Sequence, residues 1–150
     1  MTPPTDAEQV ELANTALYEA LERGDQEALE RLWLDGDISC VHPGWPVLRG
    51  RGEVLRSYAL IMANTDYIQF FLTDVEVAVA GDTALVTCTE NILSGAPAEE
   101  EGQLGPLIGQ LVVATNVFRR TPAGWRLWSH HGSPVLAEED AEEPTEPGGD

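Results

Sequence analysis

The sequence predicts an α+β fold: a bent, mostly antiparallel sheet with three helices packed on its concave side. Apolar residues recur at helical spacing only before residue 64, and from residue 67 they alternate with period two. Helices segregated from a run of hairpin-linked strands are the pattern of an α+β layer pair. Within the first long strand the alternation also changes parity. Ile68, Phe70 and Leu72 are apolar at even positions, Val75, Val77 and Val79 at odd ones. A regular strand cannot change faces, so an extra residue is expected near Thr73 and Asp74, a β-bulge that bends the sheet.

Each element has a local reason. Over residues 6–23, Val10, Ala13, Ala16, Leu17, Ala20 and Leu21 form one apolar stripe. Thr5 followed three positions later by Glu8 is a capping box, and Gly24 is a stop. Asp25 can cap a second, shorter helix carrying Leu29, Leu32 and Trp33, ended by Asp35-Gly36-Asp37. A short strand at 38–42 puts Ile38, Cys40 and His42 on one face, and Pro43-Gly44-Trp45-Pro46 turns the chain. A third helix follows Gly50-Arg51-Gly52, with Val54, Leu55, Tyr58, Ile61 and Met62 on its inner side. Gly81-Asp82 leads into a strand from Thr83 to about Leu93. Residues 95–108, rich in Gly, Pro and Glu, read as a long loop. Strands at 110–120 and 125–133 flank a Pro122-Ala123-Gly124 hairpin.

Composition narrows the class. The chain has 150 residues, the size of one domain, assigned to 1–136. Acids outnumber bases 26 to 8, all the bases are Arg, and the net charge is −18. Such a surface repels a phosphate backbone, so no nucleic-acid partner is expected. Residues 137–150 hold seven acids and no base, and this acidic tail is expected to be disordered. No stretch approaches the roughly 18 apolar residues of a membrane span. The Met-Thr-Pro-Pro-Thr-Asp start lacks a signal peptide's basic and apolar regions. A cytoplasmic protein is expected, off the membrane, with Cys40 and Cys88 as buried thiols.

Few residues can carry chemistry. Glu90 follows Ala84, Val86 and Cys88 on one strand face. If that face is inner, burial raises the carboxyl pKa toward what a general acid or base requires. The alternative is a rim carboxylate paired with Arg119 or Arg120. His42 shares its face with Ile38 and Cys40. His130 and His131 are adjacent, so a regular strand sends them to opposite sides. Counting from Trp125 and Leu127 favours His131 as the inner one. The catalytic candidates are therefore Glu90, His42 and His131. Trp33, Trp45, Tyr58, Asn116 and His130 are candidate pocket residues, with Asn116 able to orient a carbonyl through its amide. Three histidines without ligand spacing make no metal set, and Gly50-Arg51-Gly52 is too short to cradle phosphate. No cofactor is expected.

Three stretches are familiar together: CVHPGWPVLRGRGEVLRSY (40–58), VEVAVAGDTALVTCTENI (75–92) and ATNVFRRTPAGWRLWSHHGSP (114–134). In this order they resemble the SnoaL-like branch of the nuclear transport factor 2 superfamily. The resemblance implies a cone-shaped α+β barrel around a pocket, often a homodimer. It spans isomerases, dehydratases, epoxide hydrolases and cyclases as well as non-catalytic members. Neither the isomerase pattern of a Tyr with two Asp nor the epoxide hydrolase Asp-Arg-Asp is found here. Two readings stand beside each other. One is a cofactor-free acid–base isomerase, dehydratase or cyclase acting on a small hydrophobic or carbonyl-containing molecule. The other is a non-catalytic ligand-binding or dimerisation domain. A homodimer is expected because strands 109–120 and 125–133 are apolar on both faces.

Overall fold

A computed structural model describes residues 2–97 and 104–136. The expected acidic tail, 137–150, lies outside the described residues. Helix α1 (Asp6–Arg23) begins with the expected capping box: the Thr5 hydroxyl accepts from the Glu8 amide at 3.1 Å, and Glu8 accepts from the Thr5 amide at 2.8 Å. It ends at Gly24, whose φ of 66° is left-handed. Helix α2 (Gln26–Leu32) is capped by the Asp25 carboxylate. The short strands β1 (Ser39–Val41) and β2 (Leu48–Arg49) precede helix α3 (Arg51–Ala63). Arg51, in the Gly-Arg-Gly stretch, donates to the carbonyls of Trp33, Leu34 and Glu30 at 2.9, 3.2 and 3.0 Å. It thereby satisfies the open carbonyl end of α2 and ties α3 to it.

Four long strands follow: β3 (Tyr67–Ala80), β4 (Thr83–Pro97), β5 (Leu104–Thr121) and β6 (Gly124–Pro134). The sheet order is β2-β1-β6-β5-β4-β3. All neighbours are antiparallel except β1 with β6, where Ser39 pairs with Ser129 and Cys40 with His130. This is the α+β architecture expected from the sequence. Among the described residues, no helix is long and apolar enough to cross a membrane.

The expected bulge is present. Thr73 pairs with Thr89 and Glu76 with Thr87, so Asp74 and Val75 together face Cys88. Asp74 takes a left-handed φ of 54°. The residues turned toward the helices change from Phe70 and Leu72 to Val75 and Val77 across it. A second bulge was not foreseen. Phe118 pairs with Leu127 but Val117 with Ser129, which leaves Trp128 without an opposite residue.

The loop expected at 95–108 is a correction. Its ends are strand: Ser94 pairs with Ile108, Gly95 with Leu107 and Pro97 with Leu104. The glycines read as loop signals permit close strand approach instead. A Cβ on Gly105 would lie 2.5 Å from the Ala96 carbonyl oxygen, and one on Gly95 would lie 3.0 Å from Leu107. Residues 98–103 lie outside the described residues.

The core lies between the helices and the inner sheet face. Val10 and Leu17 of α1, Leu29 of α2, Val54 of α3, Val86 of β4, Phe118 of β5 and Leu127 of β6 are wholly buried. Each large side chain here contributes about 1.5–3 kcal/mol by leaving water. The exposed ion pairs from Arg120 to Asp6 and Asp82 hold the α1 start to the β3–β4 turn but sit in high dielectric and contribute little.

Candidate functional site

The alternation that buries Ala84, Val86 and Cys88 carries Glu90 inward as well, to 3% exposure. The rim alternative is thereby removed. Arg120 engages Asp6 and Asp82, and Arg119 lies over the Trp128 ring at 5.2 Å. Glu90 Oε2 instead accepts from the Tyr18 hydroxyl of α1 at 2.5 Å. Burial raises the Glu90 carboxyl to about 7, against the lowering effect of that hydrogen bond.

Tyr18 was missed in the sequence, as was Asn14 one turn before it. A signal existed: Asn14, Tyr18 and Leu21 recur at spacings of four and three beside the apolar stripe, and a mid-helix Asn on a buried side needs a partner. That partner is Asn116, the wholly buried residue directly opposite His130 across β5 and β6. Asn116 Nδ2 donates to Asn14 Oδ1 at 2.8 Å and to the Tyr18 hydroxyl at 3.2 Å. Its Oδ1 lies 2.5 Å from His130 Nδ1.

His130 is the inward histidine, and His131 is exposed on the outer face. This corrects the sequence expectation. Counting alternation from Trp125 and Leu127 fails because the Trp128 bulge inserts one residue and reverses the parity beyond it. His131 lies with Val113, Thr115, Ser129 and Ser133 on the outside of the sheet and cannot reach the pocket.

The parallel pairing of β1 with β6 sets Cys40 beside His130 and so brings His42, two residues on, to the same place. The His42 and His130 rings lie 6.3 Å apart, centroid to centroid. His42 packs edge-on against Trp45 and Tyr58, both at 4.9 Å. Its Nε2 lies 2.8 Å from the Ser57 hydroxyl, another residue missed in the sequence, and that hydroxyl donates to the Val54 carbonyl at 2.6 Å. Ser57 has one proton and gives it to Val54, so His42 is the donor in their bond. Burial lowers His42 to about 4. Burial, with His42 and His131 nearby, lowers His130 to about 3. Both imidazoles are neutral at physiological pH. Burial pushes the Tyr58 hydroxyl well above its ordinary value, and the Cys40 thiol to about 12, so neither is a nucleophile at neutral pH.

These groups line one cavity of about 270 Å³ between the helices and the sheet. Tyr18, His42, Tyr58, Glu90 and His130 make a polar end. Leu21, Ile61, Ile68, Phe70 and Ile92 make an apolar flank, with Trp45 beside His42. Asn116 stands behind the wall rather than in it. Trp33, expected as a pocket residue, is a correction: it is 2% exposed, packs in the core against Tyr58 at 6.1 Å, and does not line the cavity. A larger cleft of about 680 Å³, around Phe71, Leu93, Leu111 and Leu136, is open, and no titratable side chain lines it among the described residues. Among the described residues no three His, Cys, Asp or Glu side chains converge as a metal set.

The comparisons agree with this fold. The SnoaL-like domain family matches residues 10–138. A structure from Streptomyces avermitilis, named a "putative dehydratase" of the NTF2-like family, is similar at 73% identity, covering 90% of this chain and 99% of that one, with a TM-score of 0.86. A structure from Thiobacillus denitrificans, named a "putative calcium/calmodulin-dependent protein kinase type II association domain", is 26% identical over 84% of this chain and 94% of its own, TM-score 0.68. A ketosteroid isomerase-like protein from Erwinia carotovora atroseptica, 19% identical over 89% and 99% with a TM-score of 0.73, shares the fold. No curated protein matches the chain.

Proposed function

This chain belongs to the SnoaL-like family of the NTF2-like superfamily, and on that premise we propose that it is a cofactor-free dehydratase whose proton carrier is Glu90. The observation that carries the reading is the carboxyl itself. It is buried on the cavity wall, anchored at one oxygen by Tyr18, and poised near 7. A group with that pKa is both a competent base and a competent acid at neutral pH.

The substrate is a small β-hydroxy carbonyl compound. Its carbonyl accepts a hydrogen bond from Tyr58, whose hydroxyl among the described residues has only a weak contact to the Cys40 sulfur at 3.7 Å. Ionised Glu90 takes the proton from the carbon between carbonyl and alcohol, leaving an enolate held by Tyr58. Protonated Glu90 then gives that proton to the hydroxyl on the same face. The C–O bond breaks, the double bond forms and water leaves, with no redox change. The neutral histidines serve as polar wall groups, because their lowered pKa values make them poor bases.

The outer face of the sheet supports the rest of the reading. Phe71, Leu85 and Val113 are 55%, 42% and 46% exposed, a patch that a second copy of the chain covers in a homodimer. Two buried, unbridged thiols fit a cytoplasmic setting.

The test is Glu90→Gln. Turnover of β-hydroxy ketones, followed by the absorbance of the conjugated product, should fall at least about 10²-fold while ligand affinity persists. Wild-type kcat/KM should rise as pH passes through about 7, where Glu90 ionises. Unchanged turnover in the variant would leave the ligand-binding alternative.

A further inference from the structure

We propose that the buried Asn14–Asn116 pair fixes His130 with its proton on Nδ1. The bare Nε2 then faces the cavity as a hydrogen-bond acceptor, so the site selects ligands that bring a hydroxyl. Here Asn14 and Asn116 are positioning residues and His130 is a specificity-determining one. The inference deepens the dehydratase reading and rests on it for the site's substrate class alone.

Tyr18 has one hydroxyl proton. Ionised Glu90 can only accept, and its Oε2 sits 2.5 Å from that hydroxyl, so the proton points to Glu90. With that proton committed, the Tyr18 oxygen accepts from Asn116 at 3.2 Å, nearer than its weak contact with Cys88 Sγ at 3.9 Å, which places the Asn116 NH₂ group toward Tyr18. The same NH₂ group has a second acceptor in Asn14 Oδ1 at 2.8 Å, which agrees with that orientation. With its amide so fixed, Asn116 presents only Oδ1 to His130, at 2.5 Å from Nδ1. An oxygen facing a ring nitrogen at that distance requires a proton on the nitrogen. Burial keeps the imidazole neutral, so one proton on Nδ1 leaves none on Nε2.

Nε2 has no hydrogen-bond partner among the described residues, and His130 lines the cavity. An acceptor open to the cavity gains a hydrogen bond from a ligand that donates there and none from a ligand that does not. A hydroxyl suits the chemistry proposed above. Its hydrogen rests on His130 Nε2 while its oxygen lone pair is turned to receive the proton from Glu90, and the departing water keeps the same bond. A plain ketone or an epoxide supplies no such hydrogen.

Two measurements decide it. Long-range ¹H–¹⁵N correlation spectra of histidine-labelled protein, with His130 assigned by its loss in His130→Gln, should show a protonated Nδ1 and an unprotonated Nε2. A protonated Nε2 on His130 overturns the proposal. In Asn116→Leu, where a merely space-filling role would leave the tautomer unmoved, the Nε2-protonated form should become populated. An unchanged tautomer there overturns the assignment of Asn116. For the ligand class, benzylacetone carrying a β-hydroxyl should bind at least tenfold more tightly than benzylacetone itself, and His130→Phe should abolish the difference. Equal affinity, or binding of neither probe, overturns the substrate class. Failure of Glu90→Gln to lower turnover would defeat the dehydratase reading while leaving the tautomer result standing.

Discussion

The two bulges of the sheet differ in how they are written into the chain. Around Asp74 both flanks alternate cleanly, with apolar residues at 68, 70 and 72 and then at 75, 77 and 79. One face meets the helices and the other meets solvent, so the parity change shows as a change of hydrophobic phase. Around Trp128 the residues run Trp, Arg, Leu, Trp, Ser, His, His, Gly. Trp128 is half-buried, donates from its indole to the Asp37 carbonyl at 3.0 Å and lies under Arg119. Beyond it the inner positions are His130 and Gly132, neither of them apolar markers. The first bulge shapes the sheet; the second decides which histidine enters the cavity. A bulge is legible when hydrophobic alternation brackets it, and a bulge beside a polar site is not bracketed.

The largest effect that separates the two readings of β6 is on activity. His130→Gln should lower turnover roughly 10²-fold by misplacing the substrate, whereas His131→Gln should leave it within a few-fold. The reverse order in steady-state kinetics would mean that the Trp128 bulge is absent in solution.

Next in size is a stability effect of the buried groups that the sheet gathers. Glu90 has its folded pKa raised from 4.5 to about 7, so the native state holds the extra proton between those values. Stability from this group is full below about 4.5 and is lost as pH rises through about 7. His42 and His130 act oppositely. Their folded values, about 4 and about 3 against an ordinary 6.5, make the unfolded state the better proton acceptor, so stability rises with pH up to about 6.5. Chemical denaturation across pH should therefore show a maximum near 6.5. Glu90→Gln should remove the decline on its alkaline side, and at pH 8 it should be more stable than wild type by roughly 3 kcal/mol. A variant less stable than wild type at pH 8 would contradict the buried, strained carboxylate.

The smallest effect tests the first bulge. Asp74 holds a left-handed conformation, so Asp74→Val should cost about 1–2 kcal/mol and Asp74→Gly close to nothing. Equal costs in thermal melts would show that the strand passes this point without the bulge. On the outer face, Leu85→Arg together with Val113→Arg should yield a monomer by light scattering if a second copy covers the patch.

Much of the site was legible residue by residue. Glu90 could be placed inward because Ala84, Val86 and Cys88 repeat every second position before it, and His42 because Ile38 and Cys40 do the same. Tyr18 and Asn14 were hidden in a helix whose stripe was already complete without them. Ser57 falls on the inner stripe of α3, three after Val54 and four before Ile61, but nothing local in the sequence names His42 as the partner of its hydroxyl. Trp33 was misplaced because an aromatic side chain near a pocket mouth in the chain order can equally fill the core behind it, as here. The ends of the β4–β5 hairpin were concealed by Gly95 and Gly105, since a glycine that lets two backbones touch looks in sequence like one that lets a chain turn.

The sequence by itself determined the three helices and the caps of the first two, the α+β class, the first bulge and the alternating strand faces that carry Glu90 and His42. Each rests on interactions within a few residues or on an unbroken hydrophobic period, and both are local information. The tertiary structure alone decided that β1 lies parallel to β6, that Trp128 is the extra residue, and that Asn14, Tyr18 and Asn116 join His130 to Glu90. Those contacts span separations such as Asn14 to Asn116, where the cost of leaving a buried polar group unpaired, not any local preference, selects the partner.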